Sequence, residues 1–337
     1  MNIWYLFFIL FSHINEGLVP IVEIPYAKYL DCASDMFLEA VSACWLSNGK
    51  QAAGMMIRLQ GFDKGIFGGN FHTHNSIPLP PGLDVVCYSN GADYVRGVRY
   101  AMRQVREGRV VMAVDSTDLL NRRHVADDVR DGEWLTVYPS TDQDELSFSD
   151  IIVYHRREEK QSSEKDNAGI NRSMTIAIVT YGNGVPTSLL AVDKMNKPNQ
   201  SNPSNHNVDT DEANSPSDTT PLTAASSTEK ETEVIAVIDC PCISHLPTQL
   251  EALLLSSPSL HSVIFADVCK LNTAPLNAFA VQLHSQGTFL KNIHRGSVNW
   301  SVIGAANTYN PLGNTLTFLN SDDVIDATYI AISRNKK

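Results

Sequence analysis

The sequence predicts an α/β protein built in two halves, the first with a parallel sheet. Two observations carry this. Short apolar runs alternate with segments whose apolar residues recur at spacings of three and four, over residues 18–114 and again from residue 174 onward. The run at 109–114, mostly Val, Met and Ala, is apolar nearly throughout, as a strand buried on both faces must be.

Residues 18–26 contain Pro20 and Pro25, which lack the N–H a central strand donates, so this run reads as an edge strand or strand end. Over 33–46, Met36, Phe37, Ala40, Val41, Cys44 and Trp45 share one helical face, with Ser34 or Asp35 as the expected cap and Asn48-Gly49 as the stop. Strands follow at 54–59 and 83–87. Tyr94, Val98, Ala101 and Val105 make one face of a helix at 93–107, with arginines opposite and Gly108 closing it. These elements define a first domain over 17–120, after an unassigned apolar start at 1–16. Residues 121–171 are mostly polar apart from 134–138 and 151–154 and read as a linker. A second domain over 172–335 opens with a strand at 174–180, the turn Gly182-Asn183-Gly184 and a helix from 185. The insertion at 195–233 is rich in Asn, Ser, Thr, Pro and Asp and has too little apolar surface to offset the entropy of ordering, so disorder is expected there. Strands at 234–239, 262–267 and 298–304 then alternate with helices at 246–256, 275–286 and 321–332.

A formal charge of -11 with no dense basic stripe argues against a nucleic-acid partner, which would require many neutralised phosphates. The apolar run at 3–11 is shorter than the roughly 20 residues a spanning helix needs, so it does not read as a membrane anchor. It also lacks a positive first segment and a small-x-small cleavage site, and no Arg-rich presequence is visible. Six scattered cysteines in a chain this long point to a reducing compartment.

The stretch 68–76 (GGNFHTHNS) is the leading candidate for chemistry. Its glycines permit a tight turn or close approach, and His72 and His74 follow at once. Histidines at alternate positions could bind one metal ion, but such a site needs three or four ligands, and the other histidines and carboxylates show no second cluster. Cys240-Pro241-Cys242 is one residue short of redox spacing and reads as two small buried side chains. Gly182-Asn183-Gly184 lacks the lysine and third glycine of a phosphate cradle and reads as a strand-to-helix turn.

Together, 20–29 (PIVEIPYAKY), 45–49 (WLSNG), 68–76, 81–86 (PGLDVV), 131–135 (DGEWL) with Tyr138-Pro139, 146–148 (LSF) with Val153-Tyr154, 178–185 (IVTYGNGV), 237–239 (VID), Leu246-Pro247 and 310–313 (NPLG) run in a family order. The chain resembles the beta-type part of the thiamine-diphosphate-dependent decarboxylating component of 2-oxoacid dehydrogenase complexes, of the 2-oxoisovalerate (branched-chain) type. The resemblance implies a transketolase-like fold, with a partial pyrimidine-binding domain followed by a transketolase C-terminal domain. It implies oxidative decarboxylation of branched-chain 2-oxoacids with acyl transfer to lipoyl-lysine, in a mitochondrial setting.

By the same resemblance His72 matches the active-site histidine near the reacting carbon, and Tyr26 and Tyr29 fall on the positions that pack against the aminopyrimidine. Thiamine diphosphate is then shared with an alpha-type chain that holds the diphosphate and magnesium, leaving no metal ligand here. Further expected partners are a lipoyl acyltransferase core and a second beta chain. The family's cofactor-activating glutamate lies upstream of the segment matching Pro20, where this chain has an unrelated apolar start. A divergent, N-terminally incomplete chain is therefore expected, with a sheet edge and apolar surface left uncovered. Asp115-Ser116 stands where Glu-Pro is usual, and Val268 follows Asp267 in place of an acid. The alternative reading is a non-catalytic interaction or structural chain, and a lesser alternative is a metal-dependent hydrolase using His72 and His74.

Overall fold

A computed structural model describes residues 18–48, 54–62, 79–123, 133–142, 144–157, 174–196, 233–290, 296–308 and 318–335. Strands β1 (Ile21–Ile24), β2 (Met55–Gly61), β3 (Leu83–Val86) and β4 (Val110–Ser116) form a parallel sheet in the order β1-β2-β4-β3. Edge strand β1 alternates exposed and buried residues, whereas central β4 is buried throughout. This is the difference its uninterrupted apolar sequence predicts.

Helices α1 (Ser34–Leu46) and α2 (Gly91–Arg106) follow β1 and β3. On one sheet face Val22, Ile24, Ile57, Leu59 and Met112 share a core with Ala40 and Val41 of α1. On the other, Met56, Val86, Val111 and Ala113 pack with Ala101 and Val105 of α2. The chain enters α1 through a 3-10 segment, Ala27–Ala33, so Ser34 is already helical (φ -57°, ψ -40°) and its hydroxyl donates to Asp31 O. The expected cap is thus replaced by continuous helical backbone. The side chains of Met36, Phe37, Cys44 and Trp45 lie outside the described residues. Helix α2 begins two residues before the expected start, because the Asn90 side chain accepts from Asp93 N at 3.0 Å.

Strands β5 (Ile152–Arg157), β6 (Ile176–Thr180), β7 (Val234–Asp239), β8 (Ser262–Lys270) and β9 (Asn299–Ala305) form the second sheet, ordered β5-β7-β6-β8-β9. Only β5 is antiparallel. Helices α3 (Gly184–Asn196), α4 (Thr248–Ser256), α5 (Pro275–Ser285) and α6 (Ser321–Asn335) complete the alternation. Most of the low-complexity insertion, 197–232, lies outside the described residues.

The stretch expected to be linker holds more structure than its composition suggests. Besides contributing β5, it lays an acidic segment along the arginine face of α2: Arg96 binds Asp144 at 2.7 Å, Arg99 donates to Thr141 O, and Arg103 pairs with Glu145. Leu146 and Phe148 are buried behind it, with the Phe148 ring 4.9 Å edge-on from Tyr100. Two isolated apolar residues give no periodic signal, so only their partners on α2 reveal them as core.

Cys240-Pro241-Cys242 joins the two halves. Cys87 N donates to Pro241 O at 2.8 Å and Ile243 N to Val85 O at 2.9 Å, so this segment pairs antiparallel with β3 and covers the first sheet's edge. Both cysteines are buried, as their small apolar side chains predict.

Candidate functional site

The carboxyl ends of β1 and β2 lie side by side because the two strands pair in parallel. At the first, the chain turns into the 3-10 segment, placing the partly buried rings of Tyr26 and Tyr29 5.6 Å apart at 85°, edge to face. The turn is closed by Tyr29 N donating to Tyr26 O at 2.9 Å. At the second, β2 ends in Gly61, and from Phe62 just beyond it the chain continues into residues 63–78. Both His72 and His74 belong to that stretch and lie outside the described residues. A Cβ on Gly61 would lie 3.8 Å from that of Ala27, so the departure point abuts the tyrosine-bearing turn.

That departure point is firmly held. Phe62 adopts a left-handed φ of 53°, is fully buried, and meets Tyr181 edge-on with ring centroids 5.9 Å apart. Its carbonyl accepts from Asn183 Nδ2 at 2.9 Å, and the same amide donates to Asp118 at 2.7 Å. The Gly182-Asn183-Gly184 turn is therefore filled by the protein's own polar groups, in keeping with its reading as a strand-to-helix turn. Gly182 has φ +51°, and a Cβ there would lie 2.5 Å from Cys87 Sγ. Glycine is required because the second half presses directly on the end of β3.

The seam also holds ionisable groups away from water. Asp239 is fully buried, with Ser89 Oγ donating to Oδ2 at 2.6 Å, and burial pushes its carboxyl well above the usual range. Burial likewise raises the Cys242 thiol to about 11, so this cysteine is not poised as a thiolate. The Asp267 carboxylate accepts from Tyr181 OH, Cys269 N and Leu276 N at 2.7 to 2.8 Å, yet burial outweighs these donors and lifts its pKa to about 6. A carboxyl whose folded pKa is raised binds its proton more tightly when folded. This group therefore stabilises the fold below the ordinary carboxyl pKa of about 4 and loses that contribution as pH rises through about 6. Urea titrations from pH 4 to 7 should show that slope in the native protein and a smaller one in Asp267→Asn.

An ion pair that sequence reasoning missed lies on the α2 face of the first sheet. Arg58 of β2 donates to Asp115 of β4 at 2.6 Å, with Glu23 farther off at 3.7 Å. Burial works against the guanidinium charge, but Asp115 outweighs it and the Arg58 pKa is raised. Burial raises Asp115 despite Arg58, and it also raises the nearby Tyr94 phenol. The signal was available: each of these apolar strands carries one charged residue of opposite sign, and buried charges occur in pairs. Beside the pair opens a cavity of about 250 Å³, lined by Arg58, Tyr88, Tyr94, Ser116, Leu119 and Leu120 among others.

Among the described residues no three His, Cys, Asp or Glu side chains gather as a metal site. No helix among them is long and apolar enough to cross a membrane. For thiamine diphosphate, the Tyr26 and Tyr29 rings offer what an aminopyrimidine needs, flat apolar area with edges already arranged in a packing geometry. In this respect the residues fit the cofactor.

No protein-family model matches the chain, and neither does any curated protein. A solved structure does: a split gene transketolase in an inactive beta4 tetramer. It is similar over 98% of this chain and 81% of its own, with a TM-score of 0.57 and 12% identity. The fold is transketolase-like, as the sequence resemblance implies.

Proposed function

We propose that this chain is the beta-type chain of a thiamine-diphosphate-dependent 2-oxoacid dehydrogenase component, of the branched-chain type. It would work with an alpha-type chain that holds the diphosphate and magnesium, pass the acyl group to a lipoyl acyltransferase core, pair with a second beta chain and reside in mitochondria. The observation that carries the reading is the meeting of two features at neighbouring strand ends: the Tyr26–Tyr29 ring pair after β1 and the anchored departure towards His72 after β2.

When bound, thiamine diphosphate supplies the carbon nucleophile and the electron sink for loss of carbon dioxide. The chain's own residues have simpler tasks. Tyr26 and Tyr29 bury the aminopyrimidine and fix its plane by ring packing. The His72 imidazole, a group able both to give and to accept a proton, holds or moves a proton beside the reacting carbon. The bond from Asn183 to Phe62 O fixes the end of the described chain after β2.

Reconstitution tests this. The chain is mixed with an alpha chain of a branched-chain dehydrogenase, thiamine diphosphate, magnesium and 2-oxoisovalerate, and reduction of an artificial electron acceptor is followed. Turnover is expected only when every component is present. Co-elution with the alpha chain without turnover would replace the enzymatic reading with that of a non-catalytic interaction chain.

A further inference from the structure

We propose that the outer face of α6 is a self-complementary docking surface, on which a second copy of this chain packs its own α6 antiparallel about a two-fold axis near Ile330. Helix α6 buries Val324, Ala327, Thr328 and Ala331, and their spacing of three and four fixes which residues face outward. On that outer face Tyr329 is 55% and Ile330 51% exposed, two adjacent large apolar side chains with Asp326 before them and Ser333 and Arg334 after. Beside α6 runs β9, the outermost strand of the second sheet among the described residues, which is exposed or half-buried up to Ala305. Its sequence NWSVIGA carries neither charge nor proline, the devices that usually keep a bare edge from pairing.

Charge selects the occupant. The acids of α6 lie towards its start and its base, Arg334, in the last turn. Asp322 is held by Lys194 at 3.1 Å, and Asp323 accepts from Asn320 N at 2.8 Å. Asp326 and Arg334, both exposed, have no ion-pair partner among the described residues. Acid first and base last suits the dipole of a lone helix. The dipole gives no reason for Tyr329 and Ile330 to face water between those charges, whereas a partner would cover them. Asp326, Ile330 and Arg334 fall at i, i+4 and i+8, so they form one ridge, each charge about 6 Å along the axis from Ile330. A second α6 laid parallel would set acid against acid. Laid antiparallel about Ile330, it sets Asp326 of each copy opposite Arg334 of the other and brings the apolar pairs together at the centre. A copy of this chain carries the matching spacing by construction, and the two-fold axis makes each contact twice.

This gives the second beta chain of the reading above a surface, but the test uses the full chain alone, without alpha chain or cofactor, so its failure leaves the decarboxylase reading standing. Sedimentation velocity over a concentration series should show a monomer–dimer equilibrium. Ile330→Glu, at an exposed position, should abolish the dimer while circular dichroism and the urea midpoint stay native. Tyr329→Ser checks the same contact should Ile330→Glu disturb the fold. Asp326→Lys and Arg334→Glu each set like charges opposite at two symmetric places, and each should raise the dissociation constant about 10-fold. The double variant exchanges the partners and should return it to within about threefold of native. A chain monomeric throughout the series would overturn the proposal, and so would a dimer indifferent to Ile330→Glu and Tyr329→Ser. Single variants that weaken the dimer without rescue in the double variant would overturn it too, because the helices then do not meet antiparallel.

Discussion

His72→Ala is expected to reduce alpha-dependent decarboxylation by about 100-fold or more, the range in which a positioned proton-transfer group contributes. His74→Ala should leave it nearly unchanged. The measurement is initial rate with 2-oxoisovalerate in the reconstituted mixture, together with its pH profile. If the imidazole carries the proton, the native profile should show a limb that His72→Ala lacks. Equal losses from the two variants would instead return attention to a metal bound by both histidines, which chelator treatment and metal analysis would then reveal.

Gly54→Ala is expected to destabilise the fold by about 3 kcal/mol or more, at the upper end of what forced overpacking costs. A Cβ at this position would fall 1.9 Å from Val105 O and 3.1 Å from Gly108 Cα. Both obstacles are backbone at the end of α2, so no side-chain rotation relieves the clash; either β2 or the helix must move. Urea denaturation should show a lowered midpoint, while Gly296→Ala, where an added Cβ meets nothing within 4 Å, should shift stability by less than about 0.5 kcal/mol.

Much of the fold was legible because its elements announce themselves locally. Apolar continuity marks β4 and β6 as buried strands, and the three-and-four spacing of Tyr94, Val98, Ala101 and Val105 marks α2. The prolines of 18–26 mark an edge strand, and β1 is an edge strand. At the candidate site the structure sets the Tyr26 and Tyr29 rings edge to face, while His72 and His74 lie outside the described residues. What escaped were interactions between residues far apart in the chain that carry no periodic signature. The Arg58–Asp115 pair spans 57 positions, and the acidic segment at 141–145 gains its meaning only opposite the arginines of α2.

The sequence by itself determined that this is an α/β chain in two halves. Strand and helix periods are short-range properties of backbone geometry, and the apolar pattern repeats them on each side of the polar middle. Only the tertiary structure decided how those halves meet. Cys240-Pro241-Cys242 reads locally as nothing more than small buried residues, yet it is the segment that bridges to the edge strand of the other half's sheet. Gly182 reads as an ordinary turn glycine, yet the Cys87 sulfur occupies the space its side chain would need. The physical reason is common to both: an unpaired sheet edge and a close approach are properties of two surfaces in contact, and a window of sequence contains only one of them.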